Sequence, residues 1–176
     1  MRFLVLLAAL TTAALVMSPL AAPNVPTKVE RRAALEAAVV REMNRVRSMR
    51  SLRPLRAAPA LRSAARGHSE AMLRHDFFSH ESADGTAFNE RIRRYYTDRG
   101  FTRWSVGEAL MAGQGHAMDA QAIVAAWLDS PTHRTIVLSS TWRDTGIGVY
   151  YDPKAPPTFG GTEAIVVTAD FGLREG

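Results

Sequence analysis

Apolar residues return along this chain with two different periods. Leu35, Val39, Met43, Val46 and Met49 recur every three or four positions, a spacing that sets them on one face of a helix. Thr27 followed three residues later by Glu30 is a capping-box pattern, so this first helix is predicted to open there, after the Pro-containing linker 22–26, and to run to about Met49. Pro54 interrupts, and a second helix is predicted from Pro59, with Leu61, Ala64, Ala65, His68 and Met72 on one face, which turns His68 inward. A third, with Thr86 as its cap, places Phe88, Ile92 and Tyr95 together and stops before Gly100. Residues 101–106 alternate instead, predicting a short strand that delivers Gly107 and Glu108 at its far end.

Asp119 then caps a helix with the inward stripe Ala120, Ile123, Val124, Trp127 and Leu128, and Pro131 restarts a short helical turn. Thr145–Tyr151 and Glu163–Phe171 are strand-forming runs joined by a loop rich in Pro and Gly, hence a hairpin. Gly146 and Gly148 alternate with Ile147 and Val149, so something is expected to pack closely on the glycine side of this strand. Helices first, a strand between helices and a closing hairpin predict an α+β fold with a small antiparallel sheet covered by helices.

Composition narrows the function classes. The 176 residues hold no Cys, which removes disulfide scaffolds, thiol nucleophiles and Cys-based metal centres, and leaves His, Asp and Glu as the metal ligands available. Arg2 and the apolar run 3–16, followed by small residues, read as a secretory signal over residues 1–22, with an uncleaved anchor as the alternative, and so as an exported protein. Residues 23–34 are then linker and the start of the first helix, and 35–172 one domain. The net charge of +5 is unevenly spread, with eleven basic and three acidic side chains in residues 28–67 against ten and fourteen in 68–176. This basic front is read as an amphipathic helix's solvated face; attraction to an anionic surface is the functional alternative. No nucleic-acid-binding motif stands in the chain, and a monomer is expected.

His80-Glu81 begins like H-E-x-x-H, but Asp84 replaces the second His and a turn the required helix. No nucleophile elbow, P-loop or dinucleotide fingerprint occurs. His75 and His116 read as polar surface and His68 as a satisfied core residue. Trp104, Trp127 and Trp142 read as core anchors. His80, Glu108 and His133 remain. Two imidazoles and a carboxylate are a reasonable zinc set with an open position for water; the same residues also suit a hydrogen-bonded cluster that fixes loops.

Asn44-x-x-Arg47, His68-Ser69, Phe78-Ser79-His80, Gly107-Glu108, the W-L-x-S-P-x-H-R run at 127–134, Gly146-Ile147-Gly148 and Asp170-Phe171-Gly172 occur in an order that resembles the bacterial SCP domains of the CAP superfamily, the cysteine-rich secretory, antigen 5 and pathogenesis-related proteins. The resemblance spans roughly residues 35–172. It implies an α-β-α sandwich around a sheet of about three antiparallel strands. It also implies a cleft lined by His80, Glu108 and His133, with Asp129 or Ser130 near a fourth, acidic position, and a divalent ion, usually zinc, able to occupy it. The chain departs from the family pattern at Ala109, where an Asn usually follows the glutamate, and in having no disulfides. The expected function is a binding module for a lipid, glycan or envelope component outside the cytoplasm; the alternative is a metal-dependent, peptidase-like hydrolase.

Overall fold

A computed structural model describes residues 29–115 and 118–176. The chain runs β1 (Glu30–Arg31), α1 (Ala33–Ser48), β2 (Arg56–Ala57), α2 (Pro59–Arg74), α3 (Phe88–Arg93), β3 (Arg103–Gln114), α4 (Ala120–Asp129), α5 (Pro131–Val137), β4 (Asp144–Asp152) and β5 (Ala164–Glu175). The sheet has five strands rather than about three, in the order β1-β4-β5-β3 with β2 also on β4. Three of them are long. The two-residue strands β1 and β2 line up on the outer edge of β4, against Tyr150–Tyr151 and Asp144–Thr145 respectively.

Strand alternation sorts the core into two layers. Ile147, Val149, Val167, Ala169 and Phe171 face one way and are buried with Val39, Met43 and Val46 of α1, Ile123, Val124 and Trp127 of α4 and Val137 of α5. On the other face Val166 and Ala164 meet Met72 and Leu73 of α2. The predicted close approach on the glycine side of β4 is real. A methyl group on Gly146 would lie 2.0 Å from the backbone nitrogen of Arg62, and one on Gly148 2.4 Å from the carbonyl carbon of Ala65, because the α2 backbone rests directly on the strand.

Several expectations are corrected. The first helix begins at Ala33 with no side-chain cap, because Glu30 and Arg31 are spent on pairing with β4; Thr27 and the signal segment 1–22 lie outside the described residues. Arg32 N–H donates to the Val149 carbonyl at 2.9 Å and its guanidinium stacks on Tyr151, so tertiary pairing outweighs the local capping pattern. Met49 is 70% exposed, just past the helix end. Tyr96 rather than Tyr95 is the buried partner of Ile92.

Arg47, read as part of a solvated face, is fully buried, where it donates to the carbonyls of Val137 (2.7 Å), Ser139 (3.0 Å) and Arg53 (3.1 Å). It joins the end of α1 to the end of α5. The strand after Phe101 extends to Gln114, paired with β5 along its whole length, so Glu108 stands in mid-strand and not at the strand's end. Its alanines and glycines are weak strand formers on their own; the ladder with β5 supplies what local propensity lacks.

Candidate functional site

Phe78, Ser79 and His80 belong to the connection between α2 and α3, and His68 fixes this loop from below. His68 is buried, and its Nε2 lies 2.8 Å from the Ser79 carbonyl. A carbonyl only accepts, so Nε2 carries the proton and Nδ1 is bare, buried without a partner among the described residues. Burial pushes this histidine's pKa down, which keeps it neutral. Its ring packs on Phe77.

Above it, His80 Nδ1 lies 2.7 Å from Glu108 Oε1. The imidazole is half exposed and the carboxylate is almost wholly buried, its side chain 1% accessible. The second carboxylate oxygen is taken by Arg91 Nη2 from α3. Arg91 also donates from Nη1 to the His80 carbonyl (2.8 Å) and to Ser82 Oγ (3.2 Å). One guanidinium therefore ties α3, the 78–82 loop and β3 together. The hydrogen bond to Glu108 raises the His80 pKa against the opposing pull of desolvation.

Directly across the ladder from Glu108 stands Asp170 of β5. It is fully buried and neither carboxyl oxygen accepts a hydrogen bond from the described residues. Burial, reinforced by the Glu108 charge, drives its pKa well above the carboxylate range, with Arg91 opposing. The protonated form of Asp170 is thereby favoured, beside a Glu108 carboxylate that Arg91 holds.

His133, in the first turns of α5, lines a hollow of about 430 Å³ together with Phe78, Ser79, His80, Glu81 and Leu110. Burial and the nearby His80 lower its pKa. A second hollow, of about 330 Å³, continues past Phe78 along Gln114, Phe159 and Gly160. Phe78 is 43% exposed and meets Phe159 edge-on at 6.2 Å, so it forms the wall shared by the two hollows.

Of the residues singled out in the sequence, His80 and Glu108 are in contact and His133 shares their hollow, whereas Asp129 is exposed at the end of α4 and does not line it. Sequence reasoning missed Arg91 and Asp170. Asp170 lies in the D-F-G run that carries the family resemblance, and its place opposite Glu108 needed the strand register. Nothing marks Arg91 among its neighbours Arg93 and Arg94.

Glu108 has both oxygens engaged and is sealed from the hollow, and no group of three His, Cys, Asp or Glu side chains is gathered at metal-binding geometry among the described residues. The expected three-ligand set of His80, Glu108 and His133 does not fit a zinc centre in this arrangement; two imidazoles are the donors that the hollow offers.

The helix-sheet-helix layering, with a histidine pair above a buried Glu–Arg cluster, defines an α+β domain of the SCP type. The cysteine-rich secretory protein (CAP) family model matches residues 40–167, and the chain belongs to that family. Over 85% of its length it superposes on an outer surface protein of Borrelia burgdorferi, covering 99% of that chain at a TM-score of 0.65 and 21% identity. An extracellular SCP-domain protein of Bacillus anthracis matches over 81% of this chain and 41% of its own, with a TM-score of 0.62 and 24% identity. In sequence, 88 residues are 32% identical to the uncharacterized membrane protein YlbC of Bacillus subtilis; they make up 48% of this chain and 22% of that relative, so the chain spans only part of its length.

Proposed function

We propose that this protein is an extracytoplasmic binding module whose paired hollows take an extended glycan-type envelope polymer. The observation that carries the reading is the sequestration of Glu108: the carboxylate that a hydrolase would use as ligand or base is spent on His80 and Arg91 below the surface. What remains at the surface is recognition chemistry. His80 and His133 offer ring nitrogens for hydroxyl or amide groups, and exposed Phe78 offers a stacking face between the two hollows.

The outer-surface and extracellular descriptions of the structural neighbours support a location outside the cytoplasm, in keeping with the apolar segment at residues 3–16. No helix among the described residues is long and apolar enough to cross a membrane. A divalent ion such as zinc, if supplied, would be held by His80 and His133, with Glu108 orienting His80 from behind. Two protein donors make that a weak site.

The test is cosedimentation of the full chain with insoluble amino-sugar polymer, such as purified peptidoglycan sacculi, with mass spectrometry of the supernatant. Retention without released fragments is expected, with Phe78→Ala weakening it about three- to tenfold and His80→Ala/His133→Ala weakening it further. Fragments released in a chelator-sensitive way would support the hydrolase reading instead; absence of retention would overturn the glycan assignment.

A further inference from the structure

Below the histidine pair lies a polar interior that does not line the hollow. His68 is 1% exposed, Asp170 0% and Arg91 7%. Four of their buried polar atoms have no hydrogen-bond partner among the described residues: His68 Nδ1, both carboxyl oxygens of Asp170, and Arg91 Nε. Each such orphan is costly, and native interiors supply partners for them.

Glu108 is the neighbour that these three groups share. Asp170 faces it across the ladder, Arg91 Nη2 donates to it, and its charge reaches His68. Nε and Nη2 form one edge of the planar guanidinium, so with Nη2 on Glu108 the Nε–H is aimed to the same side, toward β3 and β5. Thr168 lies on the same face of β5 as Asp170 and takes the hydroxyl hydrogen of Ser69 at 2.8 Å, so α2, which carries His68 next to Ser69, roofs this face.

Charge and donor count decide what fits. A cation would meet the Arg91 guanidinium. An anion would meet the Glu108 carboxylate, the bare nitrogen of His68 and the carboxyl oxygens of Asp170. The partner is therefore neutral, and it must accept from Arg91 Nε–H while donating to His68 Nδ1 and to an Asp170 oxygen. Water does this with one heavy atom, and about three hydrogen bonds are usual for a buried water.

We infer that a single internal water is a built-in ligand of this domain, held by Arg91 Nε, Asp170 and His68 Nδ1 between α2, α3 and β5. It joins three elements to one another and fixes the arginine that keeps Glu108 engaged below the surface. The site is independent of the polymer proposed for the hollow.

High-resolution crystallography of the full chain is expected to show one ordered water within about 2.7–3.2 Å of each of the three groups. Imidazole nitrogen NMR shifts should report His68 with Nε2 protonated and Nδ1 accepting a hydrogen bond. Water-oxygen magnetic relaxation dispersion counts long-lived internal waters in solution. Asp170→Leu, apolar and of the same branched shape, should lower that count by one, with Phe78→Ala, outside the cluster, leaving it unchanged. Should Asp170→Leu not fold, Arg91→Lys keeps a cation at Glu108, has no Nε–H, and should lose the same water.

A dry site, a direct hydrogen bond from Asp170 to His68 or Glu108 in place of the water, an ion at this position, or a count unchanged in either folded variant would overturn the assignment. So would a His68 ring protonated at Nδ1.

Discussion

Glu36 and Glu108 are buried to nearly the same degree, 4% and 3% exposed, and an arginine clamps each of them, yet they sit in opposite electrostatic settings. Around Glu108 the additional groups are acidic or titratable: the buried carboxyl of Asp170, the imidazole of His80 and, across the hollow, His133. Around Glu36 they are permanently cationic, Arg41 and Arg62. A buried glutamate–arginine pair by itself therefore says little about function. The surroundings decide whether the pair underpins a pH-responsive surface or merely neutralises one corner of a positively charged groove.

The comparison breaks most readily at the clamping arginines. Arg91 is 9% exposed and is the permanent cation in contact with Glu108, so Arg91→Leu strips the buried carboxylate of its fixed counter-charge. A loss of about 3–5 kcal/mol is expected. Arg66 is 25% exposed, and water replaces it at Glu36 more readily, so Arg66→Leu should cost only about 1–2 kcal/mol. Urea unfolding of both variants checks this. Equal losses would show that the two clamps are equivalent and that the neighbours of Glu108 do not matter.

A smaller effect is expected at Asp170. Its folded pKa is raised above the ordinary 3.8, so in the interval between those two values the folded chain binds more protons than the unfolded one. Stability therefore falls as pH rises through that interval, and the loss persists at neutral pH. Asp170→Asn removes the ionisation at nearly unchanged side-chain size. The variant should lack this fall and be at least as stable as the parent at pH 7, as read from unfolding free energies between pH 4 and 8. A variant markedly less stable at pH 7, with the slope intact, would mean that Asp170 is charged in the fold.

These groups also mark where sequence reasoning reached its limit. His68 was legible as a core histidine because it falls on the apolar face of α2, and the glycine pair in β4 announced the close helix above it. His80 and Glu108 were singled out from the sequence and are in contact in the fold, though Glu108 was placed at a strand's end, because the alanines and glycines that follow it give no strand signal. Arg91 and Asp170 were not legible as members of the same cluster. Their roles come from cross-strand register and from the angle at which α3 meets β3, properties of tertiary packing that local pattern does not encode. Arg47 failed for a related reason: an arginine on a helix face is taken as solvated unless one knows that three carbonyls converge on it.

The finest distinction lies between the two surface histidines. His80 is held above its ordinary pKa by Glu108, whereas His133 is pushed below it by burial and by His80. Imidazole NMR titration should therefore find His80 protonating at higher pH than His133, with a window near neutrality in which one ring is cationic and the other neutral. By linkage, the stability that His80 contributes is present below the unfolded value of 6.5 and fades as pH rises through its folded value. His133 behaves oppositely, losing stability as pH falls below 6.5. Glu108→Gln removes the cause of the His80 shift while leaving desolvation and the Arg91 charge, both of which lower it. The order of the two titrations should then close up or invert, and His133, no longer facing a cationic neighbour at the same pH, should move upward. If His80 kept its raised value in Glu108→Gln, the buried carboxylate would not be what charges the hollow, and the contrast with the arginine-lined surroundings of Glu36 would lose its electrostatic basis.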